Sequence, residues 1–312
     1  MTIQRLTTLP YAPWQRSRKW WLQKSELRIP IHARRRPERT RLICRSSCWH
    51  NRLGRTRIDL VLLQLEHLAK SFGALRAVDG VSLAVARGSI TGLIGPNGAG
   101  KTTLFNTIAG ALAPDAGRIL FDGEDITGLR ADQVFHRGVG RTFQIPRPLP
   151  ALTVMENLLL APAAQVGEHF WAAWLRRGAI RAQEAAHRDK AREVLEFTGL
   201  AHLMDEPAGV LSGGQHKLLE LSRILMVDPR LILLDEPAAG VNPVLLESLV
   251  ERIRLLHRRG VTFLLIEHNM DLVMRLCNPV VVMAQGQVVT QGEPAAVRSD
   301  PRVIDAYLGD AL

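Results

Sequence analysis

"GSITGLIGPNGAGKTTLFNTIAG", residues 88–110, decides the fold. It reads as a buried strand (Ile90–Ile94), a glycine loop and a helix, in that order. The loop fits G-x-x-x-x-G-K-[ST] from Gly95 through Gly100, Lys101 and Thr102. Gly95, Asn97, Gly98 and Gly100 let backbone N–H groups wrap phosphates, and the dipole of the helix opening at Lys101, Thr102 and Thr103 adds to them. Lys101 is placed to reach the β- and γ-phosphates, and the Thr102 hydroxyl to hold Mg²⁺.

Working outward, "LILLDEP" (231–237) is an apolar run too short for a helix and right for a central parallel strand. Asp235 falls at its carboxyl end, where α/β sheets place ligands, and is expected to bind Mg²⁺ through water. Glu236 would lie beside the γ-phosphate as the general base. A bare acidic pair at a strand end is usually a solvated terminus; after a phosphate loop in the same chain it is usually a Mg²⁺ site. "VTFLLIEHN" (261–269) is another buried strand, ending in Glu267 and His268. Such a histidine is more often a hydrogen-bonded structural group, but here it can contact the γ-phosphate and hold Glu236 and water in line. Gln144, in "GRTFQIPRP" (140–148), is a candidate Mg²⁺ ligand and γ-phosphate sensor beside a hinge-like proline stretch.

"LSGGQHKLLELSR" (211–223) carries a second anion-binding signature. Ser212 can N-cap a helix, and Gln215 three positions on completes a capping box. Gly213 and Gly214 open the N–H groups of the helix start to a ligand, while Leu218, Leu221 and Leu225 mark a core-facing stripe. One chain thus carries two phosphate cradles.

The net charge of +10 belongs to the beginning of the chain. Residues 1–62 hold 15 Lys/Arg against 3 Asp/Glu, whereas residues 63–312 hold 25 against 27. The first segment also holds four of the six tryptophans (Trp14, Trp20, Trp21 and Trp49) and shows no sustained helical or strand period. An Arg-rich targeting peptide and an arm for anionic lipid or nucleic acid compete as readings. Cys44, Cys48 and His50 offer three ligands at an unfamiliar spacing where structural zinc wants four. The preferred expectation is a disordered extension outside the natural protein, with Val61 a start if its codon is GTG. The three cysteines make no disulfide framework and suit a reducing compartment. No apolar run approaches the eighteen or so residues of a membrane span.

Phosphate loop, glutamine, LSGGQ, DE and histidine occur in an order that resembles the ABC-transporter ATPases, over about residues 63–309. "SFGALRAVDGVSL", "GVGRTFQIPRPLPALTVMENLLLA", "LLDEPAAGVNP", "IEHNMDLVM" and "VIDAYLGDAL" narrow the resemblance to subunits energising branched-chain amino acid uptake. The resemblance implies an α/β P-loop NTPase: a RecA-like parallel sheet with flanking helices, antiparallel β elements and an inserted α-helical subdomain over about 145–222. It implies ATP and Mg²⁺, hydrolysis coupled to transport, and an adenine-stacking aromatic at Phe72. It also implies that Ser212, Gly213, Gly214 and Gln215 bind the ATP of a second ATPase subunit, copy or paralogue, lying head to tail, which accounts for the two cradles.

Two membrane permease subunits and, indirectly, a periplasmic binding protein complete the implied partners, at the cytoplasmic face of the inner membrane. "LTVMENLLL" (152–160) is expected in the wall of the groove that receives the permease, and "PVVVMAQGQVVTQG" (279–292) as a hairpin followed by a short helix. Trp171 and Trp174 default to core. Asn242 stands where many relatives have aspartate, and His216 where glutamine or arginine is common. Urea or short amides as substrate, and lipopolysaccharide-type export, stay open. A nucleic-acid-associated ABC ATPase is disfavoured, because the chain has neither a second cassette nor a long coiled coil.

Overall fold

The alternation that begins at Val61 becomes strand β1 (Val61–Phe72), paired antiparallel with β2 (Leu75–Ala86) and β4 (Ala116–Phe121); β5 (Glu124–Asp125) closes the sheet in the order β2-β1-β4-β5. Leu63, Leu65 and Leu68 are all buried, although strict alternation would turn Leu68 outward. The pairing register shifts between Leu65 and Leu68, where His67 takes φ 47°, and this bulge returns Leu68 to the core face. The computed structural model describes residues 60–142, 148–162 and 177–308. The chain divides into two units, Met1–Asn51 and Arg52–Leu312, and every described residue belongs to the second. The basic segment through residue 59, including Cys44, Cys48 and His50, lies outside the described residues, as do Gln144, Trp171 and Trp174.

The second sheet holds β3 (Ile90–Ile94), β6 (Val139–Arg141), β7 (Leu231–Asp235), β8 (Thr262–Ile266), β9 (Val280–Ala284) and β10 (Gln287–Gly292). Its order is β10-β9-β3-β8-β7-β6, parallel from β9 to β6, with β10 returning antiparallel. Gln285 (φ 48°) and Gly286 (φ 80°) make the turn of that hairpin, the paired positive φ values of a type I′ turn. Every residue of β3, β7 and β8 is buried, including Thr91, Asp235 and Thr262, as expected of mainly apolar strands covered on both faces. Leu93 pairs with Ile266, and Ile266 with Asp235, so these three strands end level with one another. The loops leaving these strands must therefore emerge along one edge.

Helix α1 (Lys101–Ile108) leaves the glycine loop with Leu104, Phe105 and Ile108 fully buried. After α2 (Ala131–His136) comes a helical group: α3 (Val154–Leu159), α4 (Arg177–Thr198) and α5 (Gly213–Leu225). Helix α4 packs on both others, its Ala191, Val194 and Leu195 are fully buried, and the Thr198 and Ser222 hydroxyls meet at 2.9 Å. Asn157, fully buried in α3, accepts from Leu149 N–H (2.9 Å) and donates to the carbonyls of Leu149, Leu152 and Thr153. Asn157→Leu strands these groups in the interior and is expected to lower stability by about 2–4 kcal/mol, read as a fall in melting temperature. Leu149 and Leu160, on either side of it, stay about half exposed. Helices α6 (Pro243–Arg258), α7 (Met270–Leu276), α8 (Pro294–Arg298) and α9 (Pro301–Leu308) complete the described chain. No helix among the described residues is long and apolar enough to cross a membrane.

Candidate nucleotide-binding site

The loop between β3 and α1 is shaped by its glycines. A Cβ on Gly95 would sit 2.0 Å from the Met283 carbonyl oxygen, and one on Gly100 2.0 Å from that of Ala77. Gly98 takes φ 78° with open space around it. Lys101 Nζ donates to the carbonyls of Gly95 and Pro96, both at 2.7 Å, so the ammonium is stored against the loop it would serve. Burial pulls the Lys101 pKa below its usual value, opposed by the nearby Glu236 and Asp235 carboxylates. Asn97 and Thr102 are exposed at the rim, and Thr103 is partly so.

At the matching end of β7, Asp235 is buried and pairs with Arg141 of β6 (Nη2 to Oδ2, 3.1 Å), while Arg141 Nη1 reaches Asn106 Oδ1 of α1 at 2.5 Å. Desolvation raises the Asp235 pKa, and the bond to Arg141 opposes the rise. Its other oxygen, Oδ1, is buried with no hydrogen-bond partner among the described residues. An orphaned carboxylate oxygen beside a phosphate loop suits a hydrated cation, and the donor set of Asp235 with the Thr102 hydroxyl has the hard oxygen chemistry that Mg²⁺ takes. Sequence reasoning passed over Arg141, since nothing local in "GRTF" signals a partner on another strand.

Glu236 sits one residue past β7 in the left-handed region, φ 48°, which costs a non-glycine residue of order 1–3 kcal/mol. Its N–H donates to the Ile266 carbonyl (3.0 Å) and its own carbonyl accepts from Lys217 Nζ (2.7 Å). The resulting turn aims the carboxylate at His268, whose Nε2 lies 3.2 Å from Glu236 Oε1. Glu267, to which the sequence assigned no role, is buried and accepts from the N–H groups of Ala238 (2.7 Å), His268 (3.1 Å) and Asn269 (3.3 Å). It thereby ties the loop after β7 to the loop after β8.

The LSGGQ segment opens α5 as a capping box: Gln215 N–H donates to Ser212 Oγ (3.4 Å) and Ser212 N–H to Gln215 Oε1 (2.8 Å). Its two glycines differ. Gly213 is exposed, and a Cβ there would make only an ordinary contact with the Gly240 carbonyl oxygen at 3.9 Å, whereas Gly214 is buried and a Cβ there would meet Leu245 Cδ1 at 2.6 Å. The Leu245 side-chain end can turn aside, so this close packing on α6 does not by itself demand glycine at 214. His216 Nε2 lies 2.8 Å from the Ala208 carbonyl, which gives that residue a local structural use. Asn242 caps α6 by accepting from Leu245 N–H at 2.9 Å; asparagine and aspartate cap equally well, so nothing is lost there. Phe72 is not core: it is 49 % exposed at the end of β1, with Lys70 Nζ 5.9 Å from the ring centroid. Together the described residues place a phosphate cradle, a buried acid and a histidine-linked glutamate along one sheet edge.

Residues 78–239 match the ABC transporter family, and residues 287–312 the family described as branched-chain amino acid ATP-binding cassette transporter. The chain is 44 % identical over 252 residues to a probable branched-chain amino acid transport ATP-binding protein, LivG, of Archaeoglobus fulgidus, covering 80 % of this chain and 95 % of that one. It is 42 % identical to the high-affinity branched-chain amino acid transport ATP-binding protein BraF of Pseudomonas aeruginosa, covering 80 % and 98 %. Among solved structures it resembles the ADP conformation of an ATP-binding cassette of an ABC transporter, with TM-score 0.68 and 40 % identity over 80 % of this chain and 99 % of that one. The chain accordingly belongs to the branched-chain amino acid family of ABC transporter ATP-binding subunits, enzymes that couple ATP hydrolysis to transport.

Proposed function

We propose that this chain energises uptake of branched-chain amino acids, working at the cytoplasmic face of the inner membrane as one half of a head-to-tail ATPase pair beneath two permease subunits. The observation that carries the chemistry is the level ending of β3, β8 and β7, where Leu93, Ile266 and Asp235 share one row. That row delivers the phosphate loop, His268 and Glu236 to a common edge.

In this reading Gly95, Asn97, Gly98 and Gly100 offer N–H groups to the phosphates, while Lys101 exchanges the Gly95 and Pro96 carbonyls for the β- and γ-phosphate oxygens. Thr102, Asp235 and Gln144 would hold Mg²⁺, which when bound neutralises charge developing on those oxygens. Glu236 orients the attacking water and accepts its proton on the carboxylate, and His268 fixes that carboxylate. Thr103 borders the phosphate site, and Phe72 stacks on the adenine. Ser212, Gly213, Gly214 and Gln215 face the nucleotide held by the second ATPase, so closure of the pair completes both sites. Phe72→Ala is expected to weaken ATP binding about three- to tenfold, measured by fluorescent-nucleotide titration. Because the ring is half exposed, the melting temperature should not move.

The substrate assignment rests on the 39–44 % identity shared with relatives named for branched-chain amino acid transport. Reconstitution of the full chain with its permease and binding-protein partners tests it. Leucine-loaded binding protein should stimulate hydrolysis, and stimulation by urea or a short amide in its place would reject the substrate while leaving the motor intact.

A further inference from the structure

Lys217 is the feature of the site that none of the assigned roles uses. It lies on the first turns of α5, five residues after Ser212, yet its Nζ donates to the carbonyls of Glu236 (2.7 Å) and Pro237 (3.2 Å) at the end of β7. Both acceptors belong to the turn that puts Glu236 at φ 48°. Other bonds of that turn include Glu236 N–H to Ile266 O, Ala239 N–H to Glu236 O (3.1 Å) and Ala238 N–H to Glu267. Lys217 brings in a different element. A left-handed glutamate persists only where its surroundings over-determine it, and a charge-assisted donor on its carbonyl is such a constraint.

Burial pulls the Lys217 pKa below its usual value, opposed by the carboxylates of Glu267, Glu220, Glu236 and Asp235. The start of α5 is anchored on its other side by His216, whose Nε2 meets the Ala208 carbonyl at 2.8 Å. Lys217 thus joins the first turns of α5 to the backbone of the turn that carries the Glu236 carboxylate.

We propose that Lys217 is a positioning residue for Glu236, linking the helix that faces the opposite nucleotide to the base of this chain's own site. The proposal rests on the reading of Glu236 as general base. An ammonium on the Glu236 carbonyl sets the turn without touching substrate, so its loss should misalign the carboxylate while leaving the phosphate cradle intact.

The test uses the full chain assembled with its membrane subunits, comparing Lys217→Met, Lys217→Arg and Glu236→Gln. Lys217→Met should lower kcat about tenfold with KM for ATP and the Kd of a fluorescent ATP analogue within about twofold, and Lys217→Arg should restore most of the loss. Wild-type kcat in Lys217→Met overturns the proposal. So does a loss that Lys217→Arg fails to restore, or one accompanied by weaker ATP binding, since either marks a general strut. If Glu236→Gln retains full hydrolysis, the assignment of Glu236 falls and the proposal with it. If Glu236→Gln is inactive while Lys217→Met is unimpaired, only the inference about Lys217 falls.

Discussion

Glu236→Gln is expected to lower kcat by about two to four orders of magnitude while leaving ATP binding within about twofold. Glutamine fills the same space and still has an oxygen to set against His268, whose Nε2 stands 3.2 Å from Glu236 Oε1 in the native chain. The backbone bonds that place residue 236, to Ile266 and from Lys217, involve no side-chain atom of Glu236 and survive the change. The carboxylate charge is removed, and with it the ability to take a proton from water. The groups that would hold phosphate are untouched: the N–H groups of the loop between Gly95 and Gly100, and the Lys101 ammonium. Phosphate release and nucleotide titration on the same preparation read the two halves of the expectation separately. Parallel loss of binding would show that Glu236 shapes the cradle and does not act on water.

Gly100→Ala should be strongly damaging to the phosphate loop, as should Gly95→Ala, whose Cβ also meets a backbone oxygen at 2.0 Å. A Cβ on residue 100 would stand 2.0 Å from the Ala77 carbonyl oxygen and 3.2 Å from the carbonyl carbon, both backbone atoms of β2 that no side-chain rotation can clear. Residue 100 also needs φ 93° as it caps α1, a conformation that disfavours any side chain. Backbone strain and overpacking together cost about 4 kcal/mol. That lowers the melting temperature of a domain this size by roughly 10 °C. Weaker ATP binding should accompany it, since α1 begins at Lys101. Gly98→Ala is the comparison: φ is again positive, at 78°, but nothing lies within 4 Å of the added carbon. It should cost about 1 kcal/mol, the backbone penalty alone. Thermal unfolding of the two variants separates steric exclusion from conformational preference, and equal shifts would refute the proposed contact with β2.

Everything carried by short periods was legible in the linear chain. The stretches at 90–94, 231–234 and 261–269 read as buried strands because mainly apolar runs of that length bounded by turn or polar residues suit a central strand, and β3, β7 and β8 are buried throughout. The Ser212–Gln215 box and the hairpin around Gln285–Gly286 were equally readable, since capping and turn geometry are settled within four residues. The order of motifs also indicated the family.

What only the tertiary structure decided lies between segments distant in sequence. Arg141 and Asp235 are 94 residues apart and meet because β6 and β7 are neighbours in the sheet. Gly214 packs against Leu245 of α6, whose Cδ1 would stand 2.6 Å from an added Cβ, a contact that "SGG" does not reveal. The exposure of Phe72 was decided only by the tertiary structure, where the end of β1 leaves its ring half exposed. Lys217 looks in sequence like a solvated helix residue, and it gains a task only where the end of β7 comes within reach of its ammonium. A local pattern is fixed by backbone periodicity and the nearest side chains, so it is written in the sequence. A contact across the fold depends on strand order and helix packing, where the summed burial of many side chains, and no single motif, sets the answer.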